Sequence, residues 1–214
     1  MTDAGGNRLE LLDWRRRISE LYAAVRADPH PEHAWAVWRD TRERLFLGHP
    51  QSPLPVTQRT PDHVPAYFDY DSSYRVRATV AEADPAHIIV PASTGDGYRV
   101  VDAGTATAVL HGAEIVLRLL WLDDYAGGLL LTCRDATSGA ETYGAGRYLL
   151  DTAKSADLGA EGGALVVDFN FAYQPSCSYD PRWSCPLAPR ENWLTVPIRA
   201  GERLRGERPS GDRA

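Results

Sequence analysis

The sequence predicts an α+β protein that is mainly β: an antiparallel β-barrel or sandwich with two N-terminal helices packed on it. Three observations lead there. Apolar residues recur every three or four positions through about residue 47. From Tyr74 onward the spacing changes to alternation. Turn signals then cut the alternating part into short runs.

In the first helix, Leu11, Trp14, Ile18, Leu21, Tyr22 and Val25 fall on one stripe. "ADPHP" breaks it, and a second helix begins near Pro31, a residue suited to a first turn. Trp35, Trp38 and Leu45 mark its inner side, with Arg39, Asp40, Arg42 and Glu43 read as a solvated face. A proline-rich stretch from Gly48 to Pro65 separates this arm, residues 1–47, from a β-rich region, 48–204. A charged tail, 205–214, reads as disordered.

The strands follow in order. "YRVRATVA" alternates, and "HIIVPA" follows before the turn "TGDG". "YRVVDAG" and "TATAVLH" read as two strands. The pair His111–Gly112 then predicts a tight hairpin into "EIVLRLLWL", whose apolar faces place it centrally. "GGLLLTCRD" pairs with it across "DDYAGG", and "GALVVDFNF" is the last long strand.

Composition excludes several classes. A hydrophobic fraction of 43% over 214 residues suits a chain with a real core. A net charge of −6 argues against a nucleic-acid binder driven by phosphate contacts. Lys154 is the single lysine, an arginine bias typical of a GC-rich bacterial genome. The N-terminal residues lack the apolar core of a signal peptide, and no apolar run reaches bilayer length. The expectation is a cytoplasmic protein with no membrane partner, its oligomeric state open.

Two regions carry candidate chemistry. In "ALVVDFNF", strand alternation puts Asp168 and Asn170 on one face, about 7 Å apart. They can line a pocket mouth or simply form a wet outer face. In "RDATSGAETYGAGRYLL", Glu141, Thr142, Tyr143 and Arg147 can form a polar cluster. Arg147 is the natural clamp for an anion, because its planar fork matches a carboxylate or phosphate. It can equally pair with Asp135 or Glu141 and pin the loop. The glycines there lack the Walker lysine and the dinucleotide spacing.

Cys133, Cys177 and Cys185 are odd in number, so a pure disulfide framework is not implied. The spacing of the last two does not suit zinc, which wants closer pairs and four ligands. Packing against aromatics stands ahead of a bridge or a metal, and both stand ahead of a nucleophile.

The segments "HPQSPL", "DATSGAETYGAGRYL" and "DFNFAYQPSCSYDPRWSCPLAPRENWLTVPIRAGE" together resemble a widespread bacterial family catalogued as a domain of unknown function, DUF1684. Members read asparagine–proline after "AY", where this chain has Gln174–Pro175. The resemblance implies that His49, Ser52, Asp135, Thr137, Thr142, Tyr143, Gly146, Arg147, Asp168, Asn170, Tyr173, Cys177 and Cys185 belong to the family motif. It implies no reaction and no cofactor.

Polar motif residues from three segments suggest a shared site. The expected function is a pocket for a small, anionic molecule. Asp168 or His49 would move a proton, Arg147 would hold the anion, and Asn170, Tyr143, Thr142 and Tyr173 would orient the ligand. The alternatives are a non-catalytic interaction module using exposed Trp183 and Trp193, and, below both, a metal-binding protein.

Overall fold

The computed structural model describes residues 8–123 and 127–205. The charged tail from 206 onward and the middle of "DDYAGG" lie outside them.

Two helices come first: α1 (Arg8–Ala27) and α2 (Pro31–Gly48), with proline in the first turn of α2. Ile18, Leu21, Tyr22 and Val25 of α1 pack against Ala34, Trp35, Trp38 and Leu45 of α2. Arg42 departs from the expected solvated face and is buried with this stripe. It stands one turn from both Trp38 and Phe46, so its stem follows the apolar side.

Among the described residues the β-rich part holds ten strands. β1 (Ala66–Tyr67) pairs with β10 (Glu202–Arg203) as a small ribbon. The remaining strands are β2 (Arg75–Ala81), β3 (Ala86–Val90), β4 (Tyr98–Leu110), β5 (Ala113–Leu122), β6 (Gly128–Cys133), β7 (Arg147–Asp151), β8 (Ala160–Glu161) and β9 (Ala164–Asp168). They form one strongly curled antiparallel sheet in the order β7-β6-β5-β4-β2-β9-β8, with β3 also on β4. The molecule is thus an α+β protein, mainly β, with two helices against a half-barrel.

"YRVVDAG" and "TATAVLH" are a single 13-residue strand rather than two. Its first half pairs with β3 and its second half with β2. A bulge between Asp102 and Gly104 bends it where the partner changes. The hairpin after it is as expected. His111 (φ 49°) and Gly112 (φ 81°) form the two-residue turn between β4 and β5. β5 lies centrally, between β4 and β6.

The inner face of the sheet closes over Leu117, Leu119, Leu131, Leu149, Val167 and Phe169. The last strand ends earlier than alternation predicts. β9 stops at Asp168, and Phe169–Phe171 form one 3-10 turn. That turn sends Phe169 into the sheet core and Phe171 into the helix cluster, so the two rings do not share a face.

Candidate functional site

The turn at the end of β9 overturns the geometry expected for Asp168 and Asn170. Asp168 caps the turn: its Oδ1 accepts the Asn170 backbone N–H at 2.9 Å and the Asn170 side-chain amide at 2.8 Å. Both residues are buried, with no wet outer face. Asn170 also fastens the chain at Asp71, accepting its N–H at 3.0 Å and donating to its carbonyl at 2.8 Å. Asp168 Oδ2 has no hydrogen bond, with Arg75 Nε at 3.8 Å. Burial, partly opposed by the bonds from Asn170 and by Arg75, raises the Asp168 carboxyl above its ordinary range.

Arg147 is buried with its guanidinium committed. It donates to Asp135 at 2.9 Å, to the Ile198 carbonyl at 2.9 Å, to the Glu202 carbonyl at 3.1 Å and to the Ala200 carbonyl. Asp135 in turn accepts from Thr137 and from the Ile198 N–H. This arrangement sews the C-terminal segment to β7, and it leaves no fork for an anionic ligand. Gly201, within the stitched segment, has φ 74°, and a Cβ there would fall 2.6 Å from the Phe169 and Ala172 carbonyl oxygens. Thr142 is buried in the same loop, 2.9 Å from the Thr137 hydroxyl.

His49 lies elsewhere, at the C-terminal end of α2. Its Nδ1 accepts the Gln51 N–H at 3.0 Å, which leaves Nε2–H to donate to Asp13 at 3.1 Å. It lines a groove of about 810 Å³ between the two helices. Asp168, Asn170 and Arg147 line neither this groove nor the cavity described next. The expected constellation of Asp168, Arg147 and His49 is therefore not assembled. Each is held in place by its own local bonds.

A second cavity, about 290 Å³, lies where both helices meet β7 and the C-terminal loop. Trp14, Tyr22, Trp38, Tyr148, Tyr173 and Trp183 line it. Of the expected ligand-orienting residues, Tyr173 alone reaches it. Tyr143 instead has its hydroxyl 4.0 Å from Cys177 Sγ. Burial, reinforced by the negative charge of Asp151, pushes the phenols of Tyr22, to about 12, and Tyr173 well up, so both stay protonated.

Arg42 and Asp151, which line this cavity, and Glu202, which pairs with Arg42, were not read from the sequence as site residues. Arg42 lies over the rings of Trp38, Phe46 and Tyr173 at 4.8, 5.2 and 4.9 Å. Its Nη2 donates to Glu202 at 3.2 Å. Glu202 is fully buried behind the cavity and also accepts from Tyr179 and from the Gln174 backbone N–H. The main chain of Gln174, not its longer side chain, makes that contact. The third is Asp151, 2% exposed at the end of β7. Its Oδ2 pairs with Lys154 at 2.7 Å, and its Oδ1 is buried without a partner. The Trp183 indole N–H is likewise buried and unpartnered. The register of Arg42 on the aromatic stripe was a readable signal. Nothing local marks Asp151, and Glu202 is marked only as the end of the segment that carries the family resemblance.

Among the described residues no cluster of His, Cys, Asp or Glu is grouped to hold a metal ion. No described helix is long and apolar enough to cross a membrane. Trp193 is 44% exposed, stacked by Arg134 at 4.3 Å, whereas Trp183 turns toward the cavity.

Two helices against a curled antiparallel half-barrel, with an aromatic cavity at their junction, define the class of protein. The chain belongs to the family described as "Protein of unknown function (DUF1684)", whose model matches residues 63–203. It is also similar to an uncharacterised Haloarcula marismortui protein solved by solution NMR. The two are 34% identical, with a TM-score of 0.60, and the match covers 83% of this chain and 96% of that one. No curated protein matches the chain.

Proposed function

We propose that the protein binds a small molecule in the 290 Å³ cavity between the helical arm and the sheet. One observation carries this reading. Two residues that line one cavity, Asp151 and Trp183, each carry a buried polar atom without a partner, the acceptor Oδ1 and the donor Nε1, of opposite hydrogen-bonding sense. Buried polar groups are nearly always bonded, and each left unmet costs about 1–3 kcal/mol. A ligand with a flat apolar body, a donor for Asp151 and an acceptor for Trp183 would offset both costs. The aromatic walls suit such a body, and the volume suits a metabolite of modest size. A ligand that is also anionic would meet its cations here at Arg15, Arg42 and Lys154 rather than at Arg147.

This reading assigns binding and no reaction. A contact role for the C-terminal segment would rest on Trp193, because Trp183 faces the cavity.

A thermal-shift screen over small amines, carboxylic acids and aromatic metabolites tests the reading. A specific ligand raises Tm by mass action. Asp151→Asn and Trp183→Phe are each expected to reduce that rise by at least half at a fixed ligand concentration, and Trp193→Ala to leave it unchanged. Hits that shift the two cavity variants as strongly as the parent protein would sink the assignment.

A further inference from the structure

Arg42 keeps one donor unused at the cavity. Its Nε donates to the Tyr67 hydroxyl at 3.2 Å and its Nη2 to Glu202 at 3.2 Å. Nη1 bonds no described residue, although Arg42 is only 7% exposed. Nη1 is not enclosed either, and Arg42 lines the cavity. Buried polar groups are nearly always bonded, so a guanidinium nitrogen left open in a cavity wall marks a place for an acceptor.

Two more cavity residues gather around Arg42 with donors to give. The guanidinium lies over the Tyr173 ring at 4.9 Å, and the Tyr173 hydroxyl bonds no described residue. It lies also over the Trp38 ring at 4.8 Å, and the Trp38 Nε1–H donates to the Tyr22 hydroxyl at 3.1 Å. That hydroxyl accepts from Trp38 and still has its own proton to give. Burial keeps both phenols protonated. Three donors at one end of the cavity thus lack an acceptor, and an oxygen pair with several lone pairs would serve them all.

Charge points the same way. The lining carries Arg15, Arg42 and Lys154 against Asp151, and Glu202 lies behind Arg42. The balance is one positive charge, in a chain whose formal net charge is −6. Glu202 also accepts from Tyr179 and from the Gln174 N–H, so Arg42 is not its sole support.

Resting on the cavity reading above, we propose that the ligand is a monocarboxylate whose carboxylate accepts from Arg42 Nη1 and from the hydroxyls of Tyr22 and Tyr173. Its flat apolar body lies between the aromatic walls, and a hydroxyl at its far end meets Asp151 and Trp183. Hydrogen bonds between an arginine and a carboxylate are charge-assisted and stronger than neutral ones. One negative charge balances the surplus, whereas a phosphate dianion would overshoot it.

Isothermal titration calorimetry on the full chain tests this with three probes of similar shape: para-hydroxyphenylacetate, para-hydroxyphenylacetamide and tyramine. The carboxylate should bind about tenfold or more tightly than the amide or the amine, the scale of one hydrogen bond to a charged group. Arg42→Lys should reduce that preference by about tenfold, and Tyr173→Phe by about threefold. The Tyr173 hydroxyl has no partner in the fold, so Tyr173→Phe should keep the parent's Tm. The ratio between probes is the readout, because a general loosening weakens all three alike. Equal or tighter binding of the amide or the amine, no binding of the carboxylate, or a preference that neither substitution reduces overturns the proposal. Where Arg42→Lys fails to fold, Tyr173→Phe decides alone. The cavity reading is judged separately. Amide or amine binding that Trp183→Phe weakens overturns the carboxylate and leaves the cavity standing, whereas carboxylate binding indifferent to Trp183→Phe removes both.

Discussion

Arg147 and Asp151 stand at the two ends of β7, both buried, and their surroundings are opposite. Arg147 meets one carboxylate and three main-chain carbonyls contributed by the C-terminal segment. Asp151 lines the smaller cavity and meets one lysine, whose side chain is 59% exposed, while its other oxygen is buried without a partner. Arg147 Nε is also unbonded, but Arg147 lines neither cavity. Burial of a charged residue therefore does not by itself mark a site. A charge whose partners are all protein groups is architecture. A polar atom left open beside space that a ligand can fill is a candidate for function.

The largest expected effect lies on the architectural side. Arg147→Met leaves the Asp135 carboxylate buried without its cation and three carbonyls short of a donor. Losing one partner of a buried pair costs about 3–5 kcal/mol. Urea unfolding should show that loss as a lower midpoint. The double change Arg147→Met with Asp135→Asn should cost less than the single one, since no charge is then stranded and Oδ1 can still accept from Thr137 and Ile198. A single variant within about 1 kcal/mol of the parent would mean that the clamp is not what holds the C-terminal segment.

Asn170→Ala should come next. Its amide bonds both main-chain groups of Asp71 and the Asp168 carboxylate, and the residue is wholly buried. Removing it strands those groups, at about 1–3 kcal/mol. Hydrogen exchange should localise the loosening to the Asp71–Tyr74 turn. Uniform loosening of the whole sheet would instead make Asn170 part of the general core.

These two residues also show what was legible beforehand. The helical stripe, the hairpin at His111–Gly112 and the central place of β5 follow from short-range periodicity and turn chemistry, which act within a few residues. Arg147 with Asp135 was one of two readings that the local sequence allowed. Its carbonyl partners lie about fifty residues away, at Ile198, Ala200 and Glu202, and no local rule reports them. Asp168 and Asn170 were misplaced because alternation was continued past the strand's end. An aspartate two residues before an asparagine can cap a turn as readily as it can continue a strand, and here the cap wins. Asp151 gave no signal, since its importance comes from which elements converge on it; Glu202 ends the segment that carries the family resemblance, but its partners Arg42, Gln174 and Tyr179 are distant in sequence.

The smallest expected effect on stability is at Asp151, and it is the sharper test of the contrast. Asp151→Asn removes a pair with a largely exposed lysine, an interaction screened by water and worth little. It also replaces a buried carboxylate that has an unpartnered oxygen with a neutral amide of the same shape, which lowers the desolvation cost. The two changes oppose each other, so the urea midpoint should stay put or rise slightly. A residue kept at a stability cost, or at no gain, points to a role other than folding. If Asp151→Asn instead destabilises the chain as strongly as Arg147→Met, then both ends of β7 are architecture, and the cavity loses its best reason to be a binding site.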